Sequence, residues 1–174
     1  YNGPHGSVPD HPAPGPAWDQ RHNAAPTSLV SGPDGEVFLA VAQHIVRIRP
    51  NGATELFAGS STIPNAGPWD DATLAEGGHA LSQSIAHGYA AVLAYDHVRR
   101  RLYIVPRNRW AVGCALYYIE VDTQIVHHVL GEFDTCVTDG DDGPAGEAMA
   151  ANIFALAVNE AGIVYFVENV TSPN

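Results

Sequence analysis

One stretch of this sequence recurs, and the recurrence constrains the fold more than any single motif. Residues 140–148, GDDGPAGEA, form an acidic glycine-rich turn, and residues 153–166 follow as an apolar segment, an Asn/Gly turn and a second apolar segment. The same order begins again near residue 26 and, with a degenerate turn at residues 67–75, near residue 90. Short apolar segments separated by tight turns predict antiparallel strands, and their repetition predicts repeated structural units.

Each full repeat has the pattern of a four-stranded meander. Tight turns are indicated at GPDG and PNG, because proline presets φ and glycine accepts positive φ. In the first repeat we predict strands at residues 27–31, 36–41, 44–49 and 54–58. In the second repeat we predict them at residues 90–95, 101–106, 115–121 and 124–130. The third repeat stops after two strands, so the chain holds about two and a half units.

The register of the repeats follows from counting. Leu29 to Phe38 is nine positions, Leu156 to Tyr165 is nine, and Leu93 to Tyr103 is ten, with the extra residue in an arginine-rich turn. The sequence therefore predicts an all-β chain with a segment of repeats over residues 26–174, whose units lie at about 26–59, 85–131 and 140–174.

These residues resemble the NHL-repeat family of β-propellers. DGDDGPAGEAMAANIFALAVNEAGIVYFVEN is similar to the Gly-Asp-Gly-Gly-Pro-Ala turn and strand–turn–strand of that family, and SGPDGEVFLAVAQHIVRIRPNGATELFAGS is similar to the body of a blade. The match covers about residues 26–59 and 90–169. The resemblance implies NHL-like blades, each a four-stranded antiparallel meander.

The sequence departs from the family pattern in two ways. Residues 99–101 are arginines where the turn usually carries glycine, and residues 106–110, PRNRW, are an unusual insertion. Two and a half blades also form an incomplete ring, since propellers usually have four to eight. Further blades are therefore expected from additional chain or from neighbouring copies, or other surfaces cover the sheets, and we expect a mature or incomplete chain.

Residues 1–25 are rich in proline and glycine and predict an extended arm of polyproline-II type. An arm without a core of its own is expected to pack on something else. We predict that it packs on a neighbouring copy, which gives a homo-oligomer or filament. The expected anchors are Tyr1, Pro12, Pro14, Pro16 and Trp18.

Charge, cysteines and a sequon indicate the cellular compartment of the protein and the classes of partner it can have. The net charge of −11 argues against nucleic acid, and no apolar run reaches the length of a membrane helix. Cys114 and Cys136 precede the third strand and follow the fourth strand of the second unit, so the reversal at residues 122–123 predicts a disulfide between them. Asn169-Val170-Thr171 is a glycosylation sequon. Together these features favour a secreted glycoprotein, although a pair of buried thiols and a chance sequon are the alternatives.

Metal sites are weakly indicated. Asp139, Asp141 and Asp142 offer the oxygen ligands that calcium prefers, but their spacing is not that of an EF-hand, and capping of the turn is the favoured interpretation. Nine histidines invite a zinc interpretation, yet no HExxH or Cys/His spacing occurs. We expect no cofactor, with calcium as the candidate ion. The histidines weighed are His79, His87, His97, His127 and His128.

One basic cluster stands out from the acidic background. It holds five of the eight basic residues and one tryptophan, and it is either a solvated turn or a patch that docks on the acidic surface of another copy. Its members are Arg99, Arg100, Arg101, Arg107, Arg109 and Trp110.

No nucleophile elbow, P-loop or dinucleotide-binding fingerprint is present, and no pair of carboxylates is singled out. The sequence therefore predicts a secreted, non-enzymatic β-propeller module for protein–protein interaction or structural assembly. Protein partners are expected, and nucleic acid and membrane are not. The alternative, which the resemblance also implies, is a propeller enzyme of lyase or lactonase type with a metal in the central channel.

Overall fold

The computed structural model describes residues 26–41, 44–59, 74–85, 91–107, 113–133, 135–140 and 142–169. The predicted arm, residues 1–25, lies outside the described residues. In the described part of the chain, no helix is long and apolar enough to cross a membrane.

Three antiparallel sheets follow one another along the chain, and each runs in sequence order. Sheet 1 consists of β1 (Pro26–Ser31), β2 (Val37–Val41), β3 (His44–Ile48) and β4 (Thr54–Ala58). Sheet 2 consists of β5 (Val92–Asp96), β6 (Arg101–Val105), β7 (Ala115–Glu120) and β8 (Val126–Gly131). Sheet 3 consists of β9 (Asn152–Val158) and β10 (Val164–Asn169).

The predicted all-β fold is confirmed. The two four-stranded meanders have the form of propeller blades, and the described sheets form no closed ring, as expected for an incomplete series. Helical structure in the described residues is confined to short 3₁₀ turns, at Pro33–Gly35, Ala80–Ser82 and Ala145–Glu147. The division of the chain into an arm and a repeat segment stays a prediction.

The sheets stack face to face, with first strands in contact: β1 contacts β5, and β5 contacts β9. We call the face of a sheet that is directed at the next sheet its leading face, and the opposite one its trailing face. The leading face of sheet 1 carries Phe38, whose ring centroid lies 5.9 Å from that of Tyr95 on the trailing face of sheet 2. This interface is the larger apolar core, and burial there raises the pKa of Tyr95 to about 12.

The second interface repeats the first one step along the chain. Tyr103, on the leading face of sheet 2, packs in a core with Ile153, Leu156 and Val164 of sheet 3. Register places Phe38 opposite Val30, Tyr103 opposite Ala94, and Tyr165 opposite Ala157. The equivalence of these aromatic residues, predicted by counting, therefore agrees with the strand pairing.

The turns that join the third and fourth strands of sheets 1 and 2 also have equivalent hydrogen bonds and backbone conformations. In sheet 1, Asn51 Oδ1 accepts a hydrogen bond from the backbone N–H of Ala53, and Gly52 has φ of 80°. In sheet 2, Thr123 Oγ1 accepts one from the N–H of Ile125, and Gln124 has φ of 57°. A non-glycine residue at positive φ is costly, but the Gln124 side chain donates to the carbonyl oxygen of Phe57 in the neighbouring sheet, at 2.8 Å.

Each full sheet ends on a glycine that joins it to the next repeat. The N–H of Gly59 donates to the carbonyl oxygen of Ala80 at 3.0 Å, and the N–H of Gly131 donates to that of Ala148 at 2.8 Å. Both glycines have positive φ, 99° and 77°. The segment that enters each repeat is thereby fixed to the outer strand of the preceding sheet.

The segment that enters the second repeat also covers an exposed strand edge. The N–H of Gly77 donates to Val126 O and the N–H of Val126 donates to Gly78 O, each at 2.9 Å, so that this segment lies along β8. Edge strands left uncovered are templates for unwanted pairing. Residues 76–80 therefore close this edge of sheet 2 from within the chain.

We predict that Gly131→Ala lowers the free energy of unfolding by about 2–4 kcal/mol, because left-handed backbone disfavours a Cβ and an added Cβ overlaps the Cys114 carbonyl oxygen. Urea denaturation measures the loss. The matched control is Gly146→Ala, where an added Cβ meets no atom of the described chain within 4 Å and the change should be below about 1 kcal/mol. Equal effects at both glycines would contradict the prediction.

Candidate interaction surfaces

The basic turn between β5 and β6 is engaged inside the chain. Arg99 Nη1 lies 3.1 Å from Asp96 Oδ2, and Arg99 Nη2 donates to the carbonyl oxygen of Ala161 at 3.1 Å. Ala161 lies in the turn between β9 and β10, so this side chain joins sheet 2 to sheet 3. The guanidinium lies over Gly162, where an added Cβ would overlap it.

Asp96 anchors this contact from a buried position. Its Oδ1 accepts hydrogen bonds from the N–H groups of Val98 and Arg99, at 2.9 and 3.0 Å. Burial alone would raise the pKa of Asp96, but these backbone bonds and the Arg99 side chain outweigh it and hold the pKa below its usual value. The turn is therefore organised around an ionised, buried carboxylate.

Arg100 connects sheet 2 to the preceding sheet, sheet 1. Its guanidinium lies 2.8 Å from Asp122 Oδ1 and 3.7 Å from Asp34 Oδ2, the latter in the turn between β1 and β2 of sheet 1. The hydrogen bonds between Arg100 and Asp122 raise the pKa of Arg100 and lower the pKa of the Asp122 carboxyl group. Arg100 also adopts φ of 54°, where the corresponding turn of sheet 3 has Gly162 at 75°.

Arg101 continues a column of side chains on the leading face of sheet 2. Its guanidinium lies 4.4 Å above the Tyr118 ring, and the ring of Tyr118 stacks on that of His127 at 4.7 Å. His127 Nδ1 lies 2.8 Å from Glu76 Oε1, in the segment that covers β8. A cation–π contact at this distance stabilises by about 0.5–2 kcal/mol.

Sheet 1 carries a charged network at the equivalent positions. Arg47 Nη2 lies 2.7 Å from the nearly buried Glu36, and Arg49 lies 3.2 Å from Glu36 and 2.8 Å from Glu55. Sequence reasoning found no such group of carboxylates. The strand register could have indicated part of this network, because it pairs Arg47 with Glu55 across β3 and β4.

Two members of the basic cluster, Arg99 and Arg100, thus join neighbouring sheets, which sequence analysis did not predict. Arg109 and Trp110 lie outside the described residues, as do the predicted arm anchors Tyr1, Pro12, Pro14, Pro16 and Trp18. Docking of this cluster or of the arm on another copy therefore stays a prediction.

The candidate metal residues have structural contacts. Asp139 Oδ1 accepts from the N–H of Gly140 at 2.7 Å, and Asp142 has φ of 70°. Asp141 lies outside the described residues. Among the residues that the structure describes, no group of three or more His, Cys, Asp or Glu side chains could hold a metal ion.

The described histidines each make a separate contact within the fold. His79 Nδ1 accepts from the N–H of Leu81 at 3.3 Å, and His97 packs edge-on against Tyr95. His128 Nε2 lies 2.7 Å from the carbonyl oxygen of Gly131, while His127 contacts Glu76. His87 lies outside the described residues.

Cys114 and Cys136 form the predicted disulfide, with 5.1 Å between their Cα atoms. They are 22 residues apart in sequence and lie on either side of the β7–β8 hairpin. Closing a loop of this length stabilises the fold by roughly 3 kcal/mol on the chain-entropy model.

The leading face of sheet 3 is exposed in the part of the chain that the structure describes. Phe38 and Tyr103, at equivalent positions of sheets 1 and 2, are 0% and 5% exposed, whereas Tyr165 is 55% exposed. Ile163 and Val167, on the same face, are each 52% exposed. These three residues form an exposed apolar patch.

Comparisons with known proteins find a distant relative. The chain is 31% identical over 151 residues to teneurin-1 of Gallus gallus and 29% identical over 151 residues to teneurin-1 of Homo sapiens. Each match covers 83% of this chain, but the chain spans only 5% of either relative. No protein-family model matches the chain.

We predict that Asp96→Asn destabilises the protein at pH 7 by about 2–3 kcal/mol, because charge-assisted hydrogen bonds are lost. Since the folded pKa of Asp96 lies below its unfolded value, its contribution is complete above the unfolded pKa, near 3.8, and is lost as the pH falls through the folded pKa. The variant should therefore lose less stability than the wild type below about pH 4, measured by urea denaturation against pH. Asp142→Asn, at an exposed turn, is the control. Parallel pH profiles for wild type and Asp96→Asn would contradict this role.

Asn169, the last residue of β10, is exposed. We predict that it carries an N-linked glycan when the chain passes through a eukaryotic secretory pathway. Peptide mapping should show the modification, and treatment with an amidase that releases N-glycans should convert Asn169 to aspartate. Thr171→Ala is the control, since it removes the sequon without changing Asn169. Unmodified Asn169 in secreted material would contradict the prediction.

Proposed function

We propose that the chain is an extracellular, non-enzymatic module for protein–protein interaction or structural assembly, built from NHL-like propeller blades. The observation that carries this proposal is the open leading face of sheet 3. Two of the three large apolar residues exposed on it, Ile163 and Tyr165, stand where sheet 1 has Glu36 and Phe38, which are buried. Such an apolar face is suited to packing against another apolar surface, and we propose that a protein supplies it.

The extracellular location is supported by chemistry within the chain. A disulfide persists in oxidising compartments and is rare in the cytosol. The sequon at Asn169 has meaning only in a secretory pathway. Because the chain spans about 5% of the teneurin-1 proteins, it compares with a segment of a larger protein, and the activity of the whole relative is not carried over.

Assembly of copies is part of the proposal. The stacked sheets follow one direction, so a series of copies could continue that direction as a homo-oligomer or filament. The predicted docking of residues 1–25 on a neighbouring copy belongs to the same hypothesis. No cofactor is required, and calcium at residues 139–142 stays a prediction that equilibrium dialysis would test.

The test is a binding assay on an array of purified extracellular domains that includes this chain itself. We predict that at least one protein binds and that Tyr165→Glu weakens its binding at least tenfold, because a carboxylate would have to be desolvated at the interface. Val98→Glu is the control, since Val98 is an exposed aliphatic residue in the turn between β5 and β6, outside the leading face of sheet 3. Binding that Tyr165→Glu leaves intact, or turnover in lyase or lactonase assays, would contradict the proposal.

A further inference from the structure

We propose that Glu76, His127 and Glu120 form a pH-dependent clasp, in which protonation of His127 fastens the covering segment, residues 76–80, to the outer strands of sheet 2. This inference goes beyond the proposed function, because it concerns a conformational device inside the chain and requires no partner. It is carried by the position of one imidazole ring between two carboxylates that belong to different elements.

Glu76 holds the first residue of the covering segment against β8. Its Oε2 accepts a hydrogen bond from the N–H of His128 at 2.6 Å, and its Oε1 lies 2.8 Å from His127 Nδ1. The backbone bond from His128 holds the pKa of Glu76 below its ordinary value, although desolvation acts in the opposite direction. Glu76 is therefore ionised throughout the range in which histidines usually titrate, around about pH 6.5.

The second nitrogen of the same ring lies near another carboxylate. His127 Nε2 is 3.9 Å from Glu120 Oε1 of β7, and the other oxygen of Glu120 accepts from the Thr123 hydroxyl at 3.1 Å. A neutral imidazole has one N–H, so with the proton on Nδ1, toward Glu76, its Nε2 presents a lone pair to Glu120. A protonated ring carries an N–H on both nitrogens and a positive charge between the two carboxylates. Protonation therefore links the covering segment to β7 across β8.

Three further titratable or charged groups lie around the ring, and none of them supplies a negative charge. Tyr118 of β7 stacks on the imidazole at 4.7 Å, and desolvation raises the pKa of this phenol, which keeps it neutral. Arg101 contacts the Tyr118 ring from β6, one strand further from His127. His128 lies on the opposite face of β8, with its Nε2 2.7 Å from the carbonyl oxygen of Gly131.

Amide contacts that do not titrate hold the covering segment on either side of the clasp. Just before it, Ala75 donates its N–H to Gln83 Oε1 at 2.6 Å, and the carbonyl oxygen of Ala75 accepts from Gln83 Nε2 at 3.4 Å. At its other end, the N–H of Ala80 donates to the carbonyl oxygen of Gln124 at 2.8 Å. The segment therefore stays attached when His127 is neutral, and protonation changes how often its contact with β8 opens.

Opening of the covering segment exposes an edge of sheet 2. The backbone N–H and C=O of Val126 then lose their partners Gly78 and Gly77, and edge groups of this kind pair with other chains. At neutral pH the net charge of −11 keeps copies apart, but protonation of the nine histidines removes most of that charge. The clasp tightens over the same pH range, so the edge is covered best where repulsion between copies is weakest.

The test is amide hydrogen exchange of the full chain at about pH 5.5 and about pH 7.5, on either side of the usual histidine range, with rates corrected for intrinsic exchange. The reporters are the amides of Val126 and His128, which donate to Gly78 and Glu76. We expect their protection to be roughly two- to fivefold higher at the lower pH, the range that exposed ion pairs contribute. Amides of β6, which the segment does not cover, are the internal reference.

Two variants assign the effect to one ring. His127→Gln keeps a donor for Glu76 but cannot gain a proton, so protection of Val126 should be the same at both pH values. His128→Gln is the matched control, since it removes the adjacent histidine from the opposite face of β8, and the pH dependence should persist. If either variant does not fold, Glu120→Gln replaces it and should reduce the pH dependence.

Several results would overturn the clasp. Equal protection of the two reporter amides at both pH values in the wild type does so without any variant. A pH dependence that survives unchanged in His127→Gln or in Glu120→Gln also overturns it, because the ring or its second carboxylate is then not involved. Loss of the pH dependence in His128→Gln assigns the effect to the wrong histidine and has the same consequence.

Discussion

The structure depends on apolar burial between the faces of successive sheets. A meander of this size cannot bury both of its faces alone, and burial of one large apolar side chain contributes about 1.5–3 kcal/mol. Phe38 and Tyr103 are the central residues of the two interfaces, and each is buried only because the next sheet in sequence lies against it. The stability of every sheet is therefore tied to its neighbours, as in other repeat proteins.

The turns and connecting segments fix the step between sheets. Gly59 and Gly131 donate to the segment that enters the following repeat, while Arg99 and Arg100 connect turns of adjacent sheets. Exposed ion pairs stabilise little by themselves, and the contact between Arg100 and Asp34 is of this kind. The arginine contacts restrain the positions of the turns relative to one another. The backbone hydrogen bonds of the two glycines restrain the outer strands.

The sequence was sufficient to predict the strand order, the register of the aromatic positions and the disulfide, because each depends on local turns or on counting along the chain. It did not indicate the contacts of Arg99 and Arg100. An arginine-rich turn is typical of a solvated loop, and its partners Ala161 and Asp34 lie more than 60 positions away in sequence. The contact between Glu76 and His127, 51 positions apart, was missed for the same reason. Long-range polar contacts of this kind depend on how the sheets stack, which no local pattern encodes.

A comparison of one position across the three sheets shows how the leading face of sheet 3 differs from those of sheets 1 and 2. Two residues before the central aromatic, sheet 1 has Glu36, which forms an ion pair with Arg47, and sheet 2 has Arg101, whose guanidinium lies over the Tyr118 ring. Sheet 3 has Ile163 at this position. If this face is covered, a charge there needs a counter-charge, which in sheet 1 comes from the third strand. An aliphatic residue needs only an apolar surface, and it extends the face around Tyr165 out to the turn. Sheet 3 can therefore be covered by an apolar sheet that supplies no specific counter-charge.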